Sequence, residues 1–233
     1  MIEAPGYFRI VTWNCNGGQF DWKAPMISAL NPDVAIIQEI AAPKNQDLNC
    51  CWAPTLTAYK GVAVITRNGF SVEPIQRDPQ VPDIFLPVII HGPVEFHLLA
   101  VWTQKVSGYI ESCKPVFEKY RDFLLSKPSV ITGDFNSNAI WDYLHPKISH
   151  TITVNYLMQE FGLVSSYHKK INVDQGKEQH PTFYLYRWKN KPYHYDYCFV
   201  PDYWDIKNVE VGEHEEWAKY SDHCPLVVDI AWP

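Results

Sequence analysis

The chain has no run of 18 consecutive apolar residues, so nothing in it reads as a membrane-spanning helix. Its first residues, Met1 to Gly6, carry neither the basic stretch nor the apolar core of a secretory signal, and a cytoplasmic location is expected. No Ser/Gly-rich linker, low-complexity tract or internal repeat divides the 233 residues, and we read a single domain over 1–233. No two of the six cysteines have the spacing of a structural zinc site. Cys15, Cys50, Cys51, Cys113, Cys198 and Cys224 are read as free buried thiols, because a chain this long needs no disulfide staples. An excess of positive charge is missing too: 26 acidic residues face 20 basic ones, a net charge of −6. That excludes a protein held to nucleic acid by bulk charge alone.

What the chain does have is apolar side chains, at 46%, and aromatic ones, at 15%. Disorder is thereby excluded, since so much apolar surface calls for a packed core. Its charge is also segregated. Tyr167 to Tyr195 holds six basic residues (Lys169, Lys170, Lys177, Arg187, Lys189, Lys191) against Asp174 and Glu178, whereas Asp202 to Glu216 holds six acids and one lysine.

Apolar and β-branched runs predict strands at Tyr7–Trp13, Asp33–Gln38, Gly61–Arg67, Leu86–His91, Phe96–Trp102 and Ser129–Thr132. Later ones are predicted at Leu163–Tyr167, Thr182–Trp188, His194–Val200, Lys207–Val211 and Leu226–Ala231. Helices are expected at Trp22–Leu30 and Thr153–Phe161, with the longest at Ile110–Leu125. Mixed α/β content with short late connections favours two packed sheets flanked by helices over a doubly wound parallel sheet.

Polar residues cluster where these strands end or begin: Asn14 and Asn16, Glu39, Asp134 and Asn136, Asp196, and Asp222 with His223. Each has a plain structural reading as a cap, a turn or a satisfied histidine. Asp196 differs, because a carboxylate flanked by Tyr195, Tyr197, Cys198 and Phe199 is costly to bury without a partner. The set is rich in oxygen donors and nearly free of sulfur, which suits a hard cation, Mg²⁺ or Mn²⁺. Such a site beside a histidine suits hydrolysis of a phosphate ester.

In this order the motifs resemble those of the endonuclease/exonuclease/phosphatase superfamily, metal-dependent phosphodiesterases that include the exonuclease III type of abasic-site nuclease. The matching segments are Thr12-Trp13-Asn14-Cys15-Asn16-Gly17, Ile37-Gln38-Glu39, Gly61-Val62-Ala63-Val64, Ile131 to Ser137 around Gly133-Asp134-Phe135-Asn136, Tyr195-Asp196-Tyr197 and Ser221-Asp222-His223-Cys224-Pro225. The resemblance implies an α/β fold, a four-layer sandwich with two packed mixed sheets flanked by helices. It implies that Glu39 is the main ligand of Mg²⁺ (or Mn²⁺), with Asn14 and Asn16 beside it and Asp222 assisting. It further implies that Asp134 aligns or deprotonates the attacking water, that Asn136 holds that water and a phosphate oxygen, and that Asp196 orients His223 against the scissile phosphate.

Two departures stand out. Relatives of the abasic-site type usually carry Asp where this chain has Asn16. The family also places Tyr or His after the strand matching Phe96–Trp102, where this chain reads Trp102-Thr103-Gln104; Trp102, Thr103 or Gln104 is the candidate substitute, with Tyr109 a further one. The Tyr167–Tyr195 stretch, and above all Arg187, Trp188, Lys189 and Tyr193, is read as contacting the substrate strand. The preferred function is a Mg²⁺-dependent DNA nuclease, monomeric and without membrane contact. The alternative is a phosphodiesterase or phosphatase acting on RNA, a small molecule or a lipid head group.

Overall fold

The computed structural model describes residues 6–18, 20–43, 49–55, 59–78, 80–82, 85–105 and 108–231. Its strands, in chain order, are β1 (Tyr7–Asn14), β2 (Val34–Ile40), β3 (Cys50–Pro54), β4 (Gly61–Thr66), β5 (Ser71–Pro74), β6 (Phe85–His91), β7 (Phe96–Trp102), β8 (Ser129–Asp134), β9 (Leu163–Ser165), β10 (Phe183–Tyr184), β11 (Pro192–Tyr193), β12 (Asp196–Pro201), β13 (Ile206–Val211) and β14 (Leu226–Ala231). They form two six-stranded sheets, ordered β13-β14-β1-β2-β4-β3 and β5-β6-β7-β8-β12-β9, and a small β10-β11 hairpin. Both sheets are mixed: β1 pairs with β2 and β7 with β8 in parallel, and the other pairings are antiparallel.

The side-chain period of two sorts each strand between two layers. Phe8 and Ile10 of β1, Val34 and Ile36 of β2, and Val62 and Val64 of β4 face the other sheet, where they meet Leu98 and Ala100 of β7, Val130 of β8 and Cys198 of β12. The alternate residues face outward. Val11, Trp13 and Ile37 pack on Ile27 and Trp217, while Leu99, Ile131 and Phe199 pack on Val116, Phe117 and Leu157. Helices thus cover both outer faces, and the α/β four-layer sandwich with two mixed sheets is the observed architecture.

Several elements differ from expectation. The single helix expected over Ile110–Leu125 is a 3-10 turn (Tyr109–Ser112) followed by two short helices, Cys113–Lys119 and Arg121–Ser126. Pro115 has no N–H to donate and belongs in the first turn of a helix, so the α-helical bonding restarts near Cys113. Tyr120 then leaves helical geometry (φ −98°, ψ 19°). The longest helix is instead His150–Phe161, capped by the Ser149 hydroxyl and closed by Gly162 at φ +62°. The strand expected at Leu163–Tyr167 stops at Ser165 and becomes a helix, Ser166–Ile171. The strand expected at Thr182–Trp188 is only two residues long, because Tyr186 and Arg187 take left-handed backbone at φ +59° and +61°. The short strands β3 and β5 carry no pattern that predicts them. All six cysteines are free, and among the described residues no helix is long and apolar enough to cross a membrane.

Candidate active site

The alternation that buries Ile10 and Val130 also turns the polar residues at the strand ends inward. Asn14, Gln38, Asp134 and Asp196 continue the inner faces of β1, β2, β8 and β12 at one end of the sandwich. Asp134 and Asp196 are direct partners in the β8–β12 ladder, and Trp102 of β7 is level with Asp134 on the other side. A ring of polar groups therefore sits where the apolar inter-sheet core ends.

His223, from the loop before β14, closes this ring. Its Nδ1 lies 2.8 Å from Asp196 Oδ2 and its Nε2 lies 3.8 Å from Asp134 Oδ2, with all three residues buried. The loop is pinned from three sides. Trp13 Nε1 donates to the His223 carbonyl at 2.9 Å, the His223 N–H donates to Ser221 Oγ at 3.0 Å, and Ser221 Oγ donates to the Asn14 carbonyl at 2.7 Å. Thr182 Oγ1 accepts the N–H groups of Tyr195 and Asp196 and so fixes the start of β12.

Asp134 accepts hydrogen bonds from Asn14 Nδ2 (2.9 Å), the Asn136 N–H (2.9 Å) and Asn136 Nδ2 (3.0 Å). Thr103 stands behind them: its N–H donates to the Asp134 carbonyl and its carbonyl accepts from Asn136 Nδ2, both at 2.9 Å. Burial pushes the Asp134 carboxyl up to about 7, against the downward pull of His223 and with Asp196 adding to the rise. Burial alone would lower His223, but Asp196 and Asp134 overcome it and raise the imidazole well above its usual range. The arrangement is one protonated imidazole between two carboxylates, and the raised Asp134 is suited to accept a proton near neutrality.

Glu39 sits beside this group. A bulge in the β2–β4 pairing falls between Gln38 and Ile40, and Glu39 takes φ +59°, a costly conformation for a residue with a Cβ. The bulge re-aims the carboxylate. Glu39 Oε1 accepts from Asn14 Nδ2 at 3.3 Å, so one amide bridges Glu39 and Asp134. Lys60 Nζ lies 2.5 Å from Glu39 Oε2. The Asn16 N–H donates to Asn14 Oδ1, and buried Lys23 holds the carbonyls of Cys15 and Gly17 on either side of Asn16.

The donor chemistry fits a hard divalent cation. Ligand atoms of Asp134, Asp196 and His223 lie within 4.8 Å of one another and form a compact acid–histidine group. Asp196 Oδ2 is engaged by His223, while Asp196 Oδ1 is buried without a hydrogen-bond partner among the described residues; the oxygen donors of Glu39 and Asn14 lie beside Asp134 and also suit a cation. Asp222 accepts from Ser221 Oγ at 3.4 Å and adds to the rise of His223, and among the described residues no hydrogen bond or ion pair links it to Glu39 or Asn14.

The residues expected to contact substrate separate into two groups. Trp102, an inward-facing residue of β7 level with Asp134, is 8% exposed and packs at the end of the inter-sheet core. Tyr193 instead stacks on Tyr195, which stacks on Phe183, whose ring is 4.7 Å from that of His223. Trp141 backs this wall, donating to the Tyr195 hydroxyl at 3.0 Å. Burial chiefly drives the Tyr195 phenol to about 12, and Tyr109 adds to the rise. Tyr186 and Trp188 are 68% and 53% exposed on the left-handed turn, with the Lys191 ammonium over both rings. Arg187 reaches the Lys219 carbonyl, and Lys189 is paired with Glu215 at the surface. Lys60, Ser221 and Thr182 were not singled out as site residues by sequence reasoning. Lys60 directly precedes a matching segment, and that adjacency is the one signal that marks it.

The profile of the Endonuclease/Exonuclease/phosphatase family matches residues 11–223. Among curated proteins none matches the chain. Among solved structures, the 3′ phosphatase NExo from Neisseria, bound to a product DNA hairpin, is similar at TM-score 0.72 and 20% sequence identity, over 97% of this chain and 100% of that one. At that identity the likeness is one of fold.

Proposed function

The chain belongs to the endonuclease/exonuclease/phosphatase family, enzymes that hydrolyse phosphoric esters, and on that premise we propose that it is a divalent-metal-dependent DNA nuclease. The observation that carries this reading is the buried Asp196–His223–Asp134 line beside the Asn14–Glu39 pair. Glu39 and Asn14 would hold Mg²⁺ or Mn²⁺, which supplies charge neutralisation at a phosphate oxygen. His223, kept protonated by Asp196, donates from Nε2 to another phosphate oxygen. Asp134, whose carboxyl titrates near neutrality, takes a proton from the attacking water, and Asn136 holds that water. The water oxygen bonds to phosphorus in line with the bond that breaks, and the leaving oxygen departs with the electron pair.

The choice of DNA rests on the aromatic wall of Phe183, Tyr193 and Tyr195 next to His223, and on the exposed Tyr186–Trp188 turn with its lysine. Rings beside a phosphate site suit nucleobases, which stack without regard to sequence. Arg187 adds positive charge on the same turn, while Lys189 is paired with Glu215. The test is incubation with Mg²⁺ and single-stranded, duplex and abasic DNA, RNA and bis-p-nitrophenyl phosphate. Metal-dependent cleavage of DNA at least about tenfold above the other substrates is the expected result. Preference for the small diester or for RNA would overturn the DNA assignment and leave the family chemistry standing.

A further inference from the structure

Lys60 occupies a position that catalytic chemistry by Asp134 and His223 does not require. Its backbone is fixed, because the N–H and hydroxyl of Thr55 both donate to the Lys60 carbonyl, at 2.9 and 3.0 Å. From there its side chain crosses Gly17. A Cβ on Gly17 would fall 2.6 Å from Lys60 Cε and 2.8 Å from Nζ, so the bare glycine at φ +60° leaves the channel that the lysine fills. The ammonium ends 2.5 Å from Glu39 Oε2, on the carboxylate that the β2 bulge turns out of the ladder. Position 16, next to this channel, is Asn and contributes no second negative charge. One ammonium thus faces a carboxylate suited to take a divalent cation.

We propose that Lys60 is a positioning residue that serves as the resident counter-cation of Glu39: it holds the carboxylate in the metal-free protein and competes with the divalent cation for it, thereby setting metal affinity. This rests on the reading that Glu39 takes the metal. A carboxylate oxygen in contact with an ammonium must exchange that contact for the metal, and the ammonium left beside a dication is repelled by it. Both effects weaken metal binding. The gain to the protein is that Glu39 stays charge-balanced and aimed before the metal arrives.

Calorimetric titration of metal-free protein with Mn²⁺, together with melting in EDTA, tests this. Lys60→Met keeps the stem over Gly17 and removes the charge, and it should bind Mn²⁺ about tenfold more tightly than the parent. The same variant should melt at a lower temperature in EDTA, with Mn²⁺ restoring more than it adds to the parent. Lys60→Arg should stay close to the parent. Equal or weaker Mn²⁺ binding by Lys60→Met, with binding still abolished by Glu39→Gln, would overturn the proposal and leave the metal reading intact. Binding that is indifferent to Glu39→Gln would overturn both.

Discussion

His223 Nδ1 and Asp196 Oδ2 lie 2.8 Å apart across 27 positions of sequence, and both side chains are buried. A buried carboxylate among aromatic rings and a buried imidazole each lack what the other supplies, so the two form one unit. Asp196→Asn should lower kcat by about 10²–10⁴, and His223→Asn by a similar factor. Combined, they should cost little more than the worse single change, because the second removes a group the first has already disabled. Steady-state kinetics of the four proteins checks this, and losses that multiply would refute it.

Glu39→Gln should abolish activity without unfolding the protein. The amide keeps the shape and the bond to Asn14 but loses the charge that a hard cation requires. Excess EDTA should have the same effect on the parent enzyme, reversed by Mg²⁺ or Mn²⁺. The checks are cleavage rate and far-UV circular dichroism; full-rate cleavage in EDTA would sink the metal assignment.

The inward-facing acids were legible because strand alternation leaves a mark: a polar residue in an apolar run at the position of period two has to face the core or the site. Asp134 and Asp196 follow Val130-Ile131-Thr132 and precede Tyr197-Cys198-Phe199 in that way. The same rule also places Trp102 inside, two residues on from inward-facing Ala100, although its location next to a motif suggested a substrate contact. Lys60 and Thr103 act through backbone approach and a bulge, which a one-dimensional pattern does not encode. The Tyr184–Trp188 segment alternates aromatics as a strand does, yet its left-handed Tyr186 and Arg187 break the ladder; non-glycine residues in that conformation give no compositional warning.

Gly133→Ala should be strongly destabilising although the residue is catalytically silent. Gly133 has φ +146°, and a Cβ there would fall 1.9 Å from the Val101 carbonyl oxygen, a backbone atom of the neighbouring strand. Relief requires β7 and β8 to separate beside Asp134. A loss of more than about 3 kcal/mol, or failure to accumulate as soluble protein, is expected. Urea unfolding with a loss below about 1 kcal/mol would contradict it.

His150 and His194 should withdraw stability as pH falls below neutrality, opposed by Asp134 and His223, whose raised values act the other way. Burial lowers both His150 and His194 to about 4, against partial support from Gln175 for the first and the His180 carbonyl for the second. Folded values below the unfolded 6.5 mean that the unfolded chain takes up protons which the native state refuses as pH drops from 6.5 towards 4. Each histidine can therefore remove up to roughly 3 kcal/mol by pH 4. Glu178 acts in the same direction at still lower pH. Burial would raise it, but His168 and the Gly176 N–H hold it at about 2, so its contribution is present above about 4.5 and lost as pH falls towards 2. His194 should contribute about 5 °C to the fall in melting temperature from pH 7.5 to pH 5. His194→Asn should flatten the difference, and an unchanged pH slope in that variant would refute the assignment.

Substrate affinity should depend on the exposed turn in two separable ways. Trp188 presents an open ring beside Tyr186 and Lys191, and truncating it to Ala removes a stacking platform worth about 1–3 kcal/mol per base. That loss should be nearly independent of salt. Arg187 contributes charge instead, held to the Lys219 carbonyl by a weak 3.4 Å contact and free to turn to a phosphate. Arg187→Ala should weaken DNA binding at about 50 mM salt and reduce the log–log salt slope by about 1, with less effect near 200 mM. Fluorescence anisotropy on labelled single-stranded DNA, with Ca²⁺ replacing Mg²⁺ to prevent cleavage, separates the two. A turn that merely braces the fold would give the opposite pattern, with both variants melting earlier and binding DNA with the parent's affinity and salt slope.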